Sequence, residues 1–319
     1  MRKLFLVIAA ALLAACGGDS VHIRINRYEQ LLFETPEEEL PYVLARQRET
    51  YDSPLINLLP DDDEFMEMLL GFVDDETIRY IYRTTDSLYH DLSWLEKNLG
   101  DALPRLADLC PEMKVNRVYT LLTADYDNYD RRAVCFQGDL VISIDHYALP
   151  AMKKYGHFGI PAYITALCSS DYLTADAVAA VVRSQIALPD VDEPTLLDYA
   201  ILEGKTLWFL RRALPDTPDS ILLRYTAAQT EWMENNVKNV WAFFIDGDLL
   251  YSSDPSRLRA LVGEAPKTNA FGDGSAPRTP AYIGWQIVER YMKKTGATPT
   301  DLLDETDSRK ILTTSGWRP

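Results

Sequence analysis

Along this chain the apolar positions change period twice, and the changes divide it into three parts. Over residues 37–100 they recur at three and four: Leu40, Val43 and Leu44, then Phe65, Met68, Leu69 and Phe72, then Ile78, Ile81, Tyr82, Leu88 and Tyr89. That spacing lines one face of successive helices, so a helical N-terminal part is predicted over about 21–110. It is preceded by an alternating run, Val21-His22-Ile23-Arg24-Ile25, that reads as a strand. Between about 115 and 145 the period falls to two in three runs rich in β-branched and aromatic residues, 115–123, 132–136 and 139–145. Polar turn residues separate them, which predicts a small sheet of three or more strands. Helical spacing returns over about 172–319. Thr174 reads as the cap of a helix bearing Val178, Val181, Val182 and Ile186, and Pro194 as the start of the next. Runs 222–245, with Tyr225, Trp232, Trp241 and Phe244, and 280–294 read as two more. The segment 266–280, rich in Gly, Pro and Ser, is long enough to cover a cleft. The class predicted is α+β, mainly helical with one small central β-sheet.

One helix breaks its own pattern. At about 100° per residue, the helix from Thr195 places Leu196, Tyr199, Ala200, Leu207 and Leu210 on an apolar stripe with Glu203 in its middle, and Asp198 and Lys205 on the polar side. An unpaired buried carboxylate costs several kcal/mol, so Glu203 requires a donor, a cation or a polar cavity. Gln185, on the apolar face of the preceding helix, and Arg183 are the candidate donors. Gly204 gives up about 1 kcal/mol of helix propensity relative to Ala, which makes sense where a second backbone passes close. An ion pair that merely joins two helices is the plainer reading of Glu203, and a cleft residue the functional one. The candidate cleft residues are Glu203, Gln185, Lys205 and Arg183.

The N-terminus changes the picture from an isolated body to an anchored one. Met1-Arg2-Lys3, an apolar run from Leu4 to Leu13, and Leu13-Ala14-Ala15-Cys16 have the form of a bacterial lipoprotein signal. The apolar run is shorter than the roughly 18 residues a bilayer span needs. Residues 1–15 are thus expected to be a signal peptide, leaving 319 − 15 = 304 residues. Cys16 would carry two or three acyl chains such as palmitate, each buried methylene contributing about 0.8 kcal/mol. Residues 16–20 then form a lipidated tether, and 21–319 a single domain that meets the membrane through Cys16.

Charge and ligand types narrow the chemistry. Loss of Arg2 and Lys3 takes the formal charge from −16 to −18, a balance that repels nucleic acid and anionic lipid. Cys110, Cys135 and Cys168 are scattered, and their spacing favours buried thiols, with one disulfide and a free thiol as the alternative. The acidic cluster Asp61-Asp62-Asp63-Glu64 lacks the alternating ligands and Gly of an EF-hand, and reads as helix N-terminal charge. His22, His90, His146 and His157 form no pair at helical spacing, so neither a metal nor another cofactor is expected.

The order of elements invites one comparison. In zincin-type peptidases a sheet lies over a helix bearing H-E-x-x-H, and in one branch a Glu on the following helix completes the zinc site. Here sheet, helix and a Glu-bearing helix follow in that order, but the five positions read Val181-Val182-Arg183-Ser184-Gln185, without histidine.

A longer set of features carries a family resemblance. It comprises the Cys16 signal, the Arg27-Tyr28-Glu29-Gln30-Leu31-Leu32-Phe33 opening, Thr195-Leu196-Leu197 with Glu203-Gly204-Lys205-Thr206-Leu207-Trp208-Phe209, Tyr225-Thr226 with Trp232 and Trp241, Leu249-Leu250-Tyr251-Ser252, Ala265-Pro266, Ile283-Gly284-Trp285-Gln286-Ile287-Val288 and the closing Trp317-Arg318-Pro319. Over essentially the whole mature chain this set resembles the gliding-motility-associated lipoprotein family GldB of the Bacteroidetes. The resemblance implies a lipid-anchored cell-envelope protein associated with gliding or with machinery that exports surface adhesins; such lipoproteins face the periplasm or the exterior, and the periplasmic side is the one expected over surface exposure. That family is distantly similar to predicted zinc peptidases whose Glu-Gly segment supplies the third ligand, which implies a degenerate zincin-like body with Glu203 as the surviving position. On this reading the protein is a pseudo-peptidase that binds an envelope partner through a vestigial cleft. The alternatives are a zinc peptidase with non-standard ligands and an envelope lipoprotein that binds a small ligand.

Overall fold

The structure, a computed structural model, describes residues 21–56, 63–188 and 191–319. Cys16 with the signal and tether, and Asp61 and Asp62 of the acidic cluster, lie outside them. Four strands form one open sheet in the order β1-β2-β4-β3: β1 Ile25–Arg27, β2 Arg117–Leu121, β3 Ala133–Phe136 and β4 Asp139–Ser143. β1 and β4 both run parallel to β2, with Ile25 and Leu140 each opposite Val118, and β3 pairs antiparallel to β4. Gln137 and Gly138 join that hairpin, both at positive φ, as a tight two-residue turn between twisted strands requires. Alternation sends Val118, Leu140 and Ile142 into the main core and Tyr119 and Val141 into a smaller one on the opposite face. Both faces are covered, so the sheet divides two helical layers.

The N-terminal helices are α1 Tyr28–Glu34, α2 Leu40–Arg46, α3 Asp63–Asp74, α4 Glu76–Tyr89 and α5 Ser93–Leu109. Those after the sheet are α6 Ala162–Ala166, α7 Ser170–Arg183, α8 Leu196–Ala213, α9 Asp219–Leu223, α10 Ala227–Asp246, α11 Pro255–Val262, α12 Thr279–Thr295, α13 Pro299–Asp304 and α14 Ser308–Ser315. The result is a mainly helical α+β fold with one small open sheet. Three sequence expectations shift. The alternating run at 21–25 becomes a strand only from Ile25, because Val21 lies on α5, where its N–H donates to the Gly100 carbonyl at 3.3 Å. Thr174 caps nothing: α7 begins at Ser170, a turn earlier. The helix predicted over 222–245 is two, since Arg224 turns left-handed and Thr226 opens α10 with a capping box to Gln229. Among the described residues Cys110, Cys135 and Cys168 are buried and form no disulfide with one another.

α8 runs through the middle of the main core, packed between α5, α7 and α12. Its start is fixed by a reciprocal capping box between Thr195 and Asp198, one residue after Pro194. It crosses α12 at glycine on both sides: a Cβ on Gly204 would lie 2.3 Å from the Gly284 carbonyl carbon, and one on Gly284 would lie 1.7 Å from the Ala200 carbonyl oxygen. The helix-propensity cost of Gly204 is thus offset by backbones packed closer than any side chain permits. This crossing holds the Glu203 turn of α8 against the start of α12.

Candidate functional site

A cavity of about 580 Å³ opens beside that crossing, bounded by α7, α8, the end of α9, residues 263–264 and the start of α12. Its wall is a chain of ion pairs. Asp176 on α7 accepts from Arg132 Nε at 2.8 Å, Arg224 at 2.6 Å and the Tyr147 hydroxyl at 3.0 Å. Arg224 donates on to Glu264 at 2.9 Å, Arg278 lies 3.5 Å from the same Glu264 oxygen, and Arg278 also donates to Glu203 at 2.7 Å. Arg183 closes the chain, donating to the two Glu203 oxygens at 3.3 and 3.2 Å. Four guanidiniums and three carboxylates therefore alternate along one wall.

Local backbone choices place these groups. Asp176, Ala179 and Arg183 recur at three and four along α7 and present one face to the cavity, with Ala179 as the gap that leaves room. Arg224 and Arg278 each sit at a helix end in the left-handed region, at φ 61° and 47°. Such a conformation costs a non-glycine residue about 1–3 kcal/mol and persists only where the surroundings hold it. Both strained residues are arginines bonded into the same wall. The 266–280 segment does not hang over the cavity as a loose cover. Its interior is pinned by Thr268 and Ser275, whose hydroxyls donate to the Ala276, Thr268 and Gly272 carbonyls, so Glu264, two residues before the segment, and Arg278, near its end, are fixed parts of the wall.

The electrostatics follow. Burial in itself raises the Glu203 carboxyl, but Arg183 and Arg278 together outweigh it and hold the group below the usual carboxylate value. For Arg132 burial opposes the charge, and Asp176 more than restores it, so the guanidinium stays charged at 3 % exposure. The Tyr147 hydroxyl is raised far above its ordinary range by burial first and by Asp176 second, which keeps it a neutral donor. Glu203 retains 24 % exposure toward the cavity and Arg183 47 %. The wall is suited to holding and recognising charge.

Of the four residues singled out from sequence, the structure brings Glu203 and Arg183 together and leaves the other two elsewhere. Gln185 lies beyond the end of α7 and donates to Ser184 Oγ at 3.2 Å, away from Glu203. Lys205 is not on a wet face: it is 2 % exposed, and its ammonium donates to the Leu303 and Glu305 carbonyls at 3.3 and 2.6 Å. There it caps the C-terminal end of α13, where a cation complements the last carbonyls. Burial pushes its pKa down to about 8. Folded Lys205 thus gives up its proton before the unfolded chain does, near 10.5. Between those values the unfolded state binds more protons, so this group adds stability as pH rises from about 8 to 10.5. The difference in unfolding free energy between the parent and Lys205→Met should climb over that window with a slope approaching about 1.4 kcal/mol per pH unit. A difference that stays flat would mean that the folded ammonium keeps its proton as long as the unfolded one does.

The register expected for a peptidase-like helix also changes. Val181 and Val182 face the core at 1 % and 0 % exposure, and the positions that look toward Glu203 are Ala179 and Arg183. A methyl group and a cation stand where zinc would need neutral nitrogen, thiolate or carboxylate donors, so this residue set does not fit that metal. Among the described residues no histidine lines the cavity. His146 is buried with Nε2 3.1 Å from Thr123 Oγ1, and His90 is exposed beside Asp86. In a larger recess of about 680 Å³ between α5, α7 and 214–217 the described residues form one ion pair, Lys97 with Asp101, and Arg105 donates to the Ala213 carbonyl.

Sequence reading missed Asp176, Arg132, Arg224, Glu264 and Arg278. Asp176 was within reach, seven residues before Arg183 on the same face. The other four sit at element boundaries, where periodicity carries no signal.

No curated protein and no solved structure matches this chain. The model of the gliding motility protein GldB does match it, across residues 17–319, and the chain belongs to the GldB family.

Proposed function

We propose that this protein is held to an envelope membrane by acyl chains on Cys16, facing the periplasm, and binds an envelope partner of the gliding or adhesin-export machinery through the charged cavity. Membership of the GldB family makes it a non-enzymatic, envelope-associated protein, and no helix among the described residues is long and apolar enough to cross a membrane. The observation that carries the cavity reading is the pair of left-handed arginines, Arg224 and Arg278. Two strained backbones with one shared purpose, delivering guanidinium groups to one wall, mark a site more than a packing device. Two of the elements that bound the cavity, α7 and the Glu203-bearing α8, are consecutive helices after the sheet, the order the sequence comparison with zincin peptidases rests on, and Ala179 and Arg183 face Glu203. That supports a vestigial peptidase cleft that has exchanged ligands for ion pairs.

The test uses the full lipidated chain on envelope extracts. It should retain one protein at near-equal stoichiometry, and Arg183→Gln, at an exposed edge of the network, should release that protein while keeping the parent circular dichroism. Cys16→Ser should either keep its signal or leave the membrane fraction. A partner held equally by the folded Arg183→Gln variant would overturn the cavity reading, and normal processing with unchanged detergent-phase partitioning of Cys16→Ser would overturn the anchor.

A further inference from the structure

We infer that the cavity recognises a free carboxylate, presented either by a polypeptide C-terminus or by an acidic side chain, with the outer edge of Arg183 as the docking group. This rests on the reading of the cavity as the partner site, and names the chemistry it takes.

Donor and acceptor counts point to it first. Four guanidiniums carry about 20 N–H donors, whereas three carboxylates offer about 12 lone-pair sites, one of them already taken by Tyr147. Arg132 spends one terminal nitrogen on the Tyr129 carbonyl and Cys168 Sγ, and the ion-pair chain is still richer in donors than in acceptors, so a guest that docks on it is an acceptor. Among the described residues Arg183 uses only one terminal nitrogen, on Glu203, and its Nε and other terminal nitrogen have no protein partner. It is also the most exposed arginine of the wall, at 47 % against 3 %, 15 % and 11 % for Arg132, Arg224 and Arg278.

Charge selects the kind of acceptor. Arg132, Arg183, Arg224 and Arg278 against Asp176, Glu203 and Glu264 leave 4 − 3 = +1 on the ion-pair chain, and Asp127 and Asp130, both exposed at the rim, bring the cavity lining to 4 − 5 = −1. The anion is therefore held by the free N–H edge of Arg183 and not by an excess of charge. A singly charged carboxylate meets the rim repulsion once, and a phosphate dianion meets it twice. Glu203 matters here as the group that orients Arg183, spending one of its nitrogens and leaving the rest to the guest.

Titration calorimetry on the full chain in detergent, at low salt, tests this with four probes: N-acetyl-trialanine with a free C-terminus, its C-terminal amide, an N-acetyl-Ala-Asp-Ala amide, and inorganic phosphate. The free acid, the aspartyl peptide, or both should bind at least about tenfold more tightly than the neutral amide, and their ranking tells a C-terminus from an acidic side chain. Arg183→Gln should abolish that preference, Arg183→Lys should keep part of it, and added salt should weaken it in the parent. Equal binding of acid and amide, phosphate binding more tightly than either carboxylate, or no carboxylate binding up to about 10 mM would overturn the inference. A partner lost on Arg183→Gln while the carboxylate probes fail would overturn the ligand class alone. Carboxylate binding that survives Arg183→Gln would overturn the docking group.

Discussion

Gly284→Ala should be among the most damaging single substitutions in this chain, lowering stability by at least about 3 kcal/mol. The added methyl would sit 1.7 Å from the Ala200 carbonyl oxygen and 2.4 Å from its carbon, both backbone atoms inside α8. No rotamer change can relieve a contact with main chain, so α8 and α12 must separate. Phe209, Leu207, Ile283 and Ile287 would then lose packing together. Gly204→Ala should behave alike, since its methyl would meet the Gly284 carbonyl at 2.3 Å. Because both variants move the same pair of helices apart, their double mutant should cost clearly less than the sum. Thermal denaturation measures all three. A Gly284→Ala protein that melts within a degree or two of the parent would mean that the helices do not cross at these glycines.

Glu203→Ala carries the second large effect, about 2–4 kcal/mol. Removing the carboxylate leaves Arg278, 11 % exposed, without its nearest counter-charge, and leaves Arg183 without its anchor. Breaking a fully buried pair costs roughly 3–5 kcal/mol, and the 24 % exposure of Glu203 together with the wet position of Arg183 reduces that. Glu203→Gln keeps the volume and one acceptor oxygen, so it should cost about half as much. The linkage has a definite sign. The folded carboxyl titrates below its unfolded value, so its contribution is complete above about pH 4.5 and is lost as pH falls through the folded pKa. The gap between parent and Glu203→Gln should therefore shrink in acid, and a gap that widens there would contradict the assignment.

What the chain revealed of this structure depended on where each residue sits within its element. The need of Glu203 for a partner, its pairing with Arg183 and the close backbone beside Gly204 were legible, because a helix interior repeats with a fixed period and an exception stands out. The inward stripe held only in part: Glu203 is half-buried at the cavity wall, and Tyr199, expected on the same stripe, is exposed. Lys205 was misplaced by the same wheel. A helical projection shows which residues share a side but not what covers that side, and here α13 ends there with carbonyls that accept the ammonium. The sheet was legible as three runs of period two, and the first strand only in part, since Gly100 draws Val21 onto α5 and delays pairing to Ile25. Arg224 and Arg278 were out of reach for a different reason. Their left-handed backbone follows from tertiary bonds to Glu264, Asp176 and Glu203, and nothing local in sequence prefers an arginine there.

Glu203→Gln tests the use of the cavity most directly, because it removes charge while nearly preserving shape. The measurement is a paired one on the full lipidated chain: melting temperature beside retention of the envelope partner. The account predicts a variant that folds cooperatively, melts within several degrees of the parent, and has lost the partner, since Arg183 is no longer oriented by a negative group. A variant that holds the partner as tightly as the parent would contradict it, and would leave Glu203 as a structural tie between α8 and its neighbours.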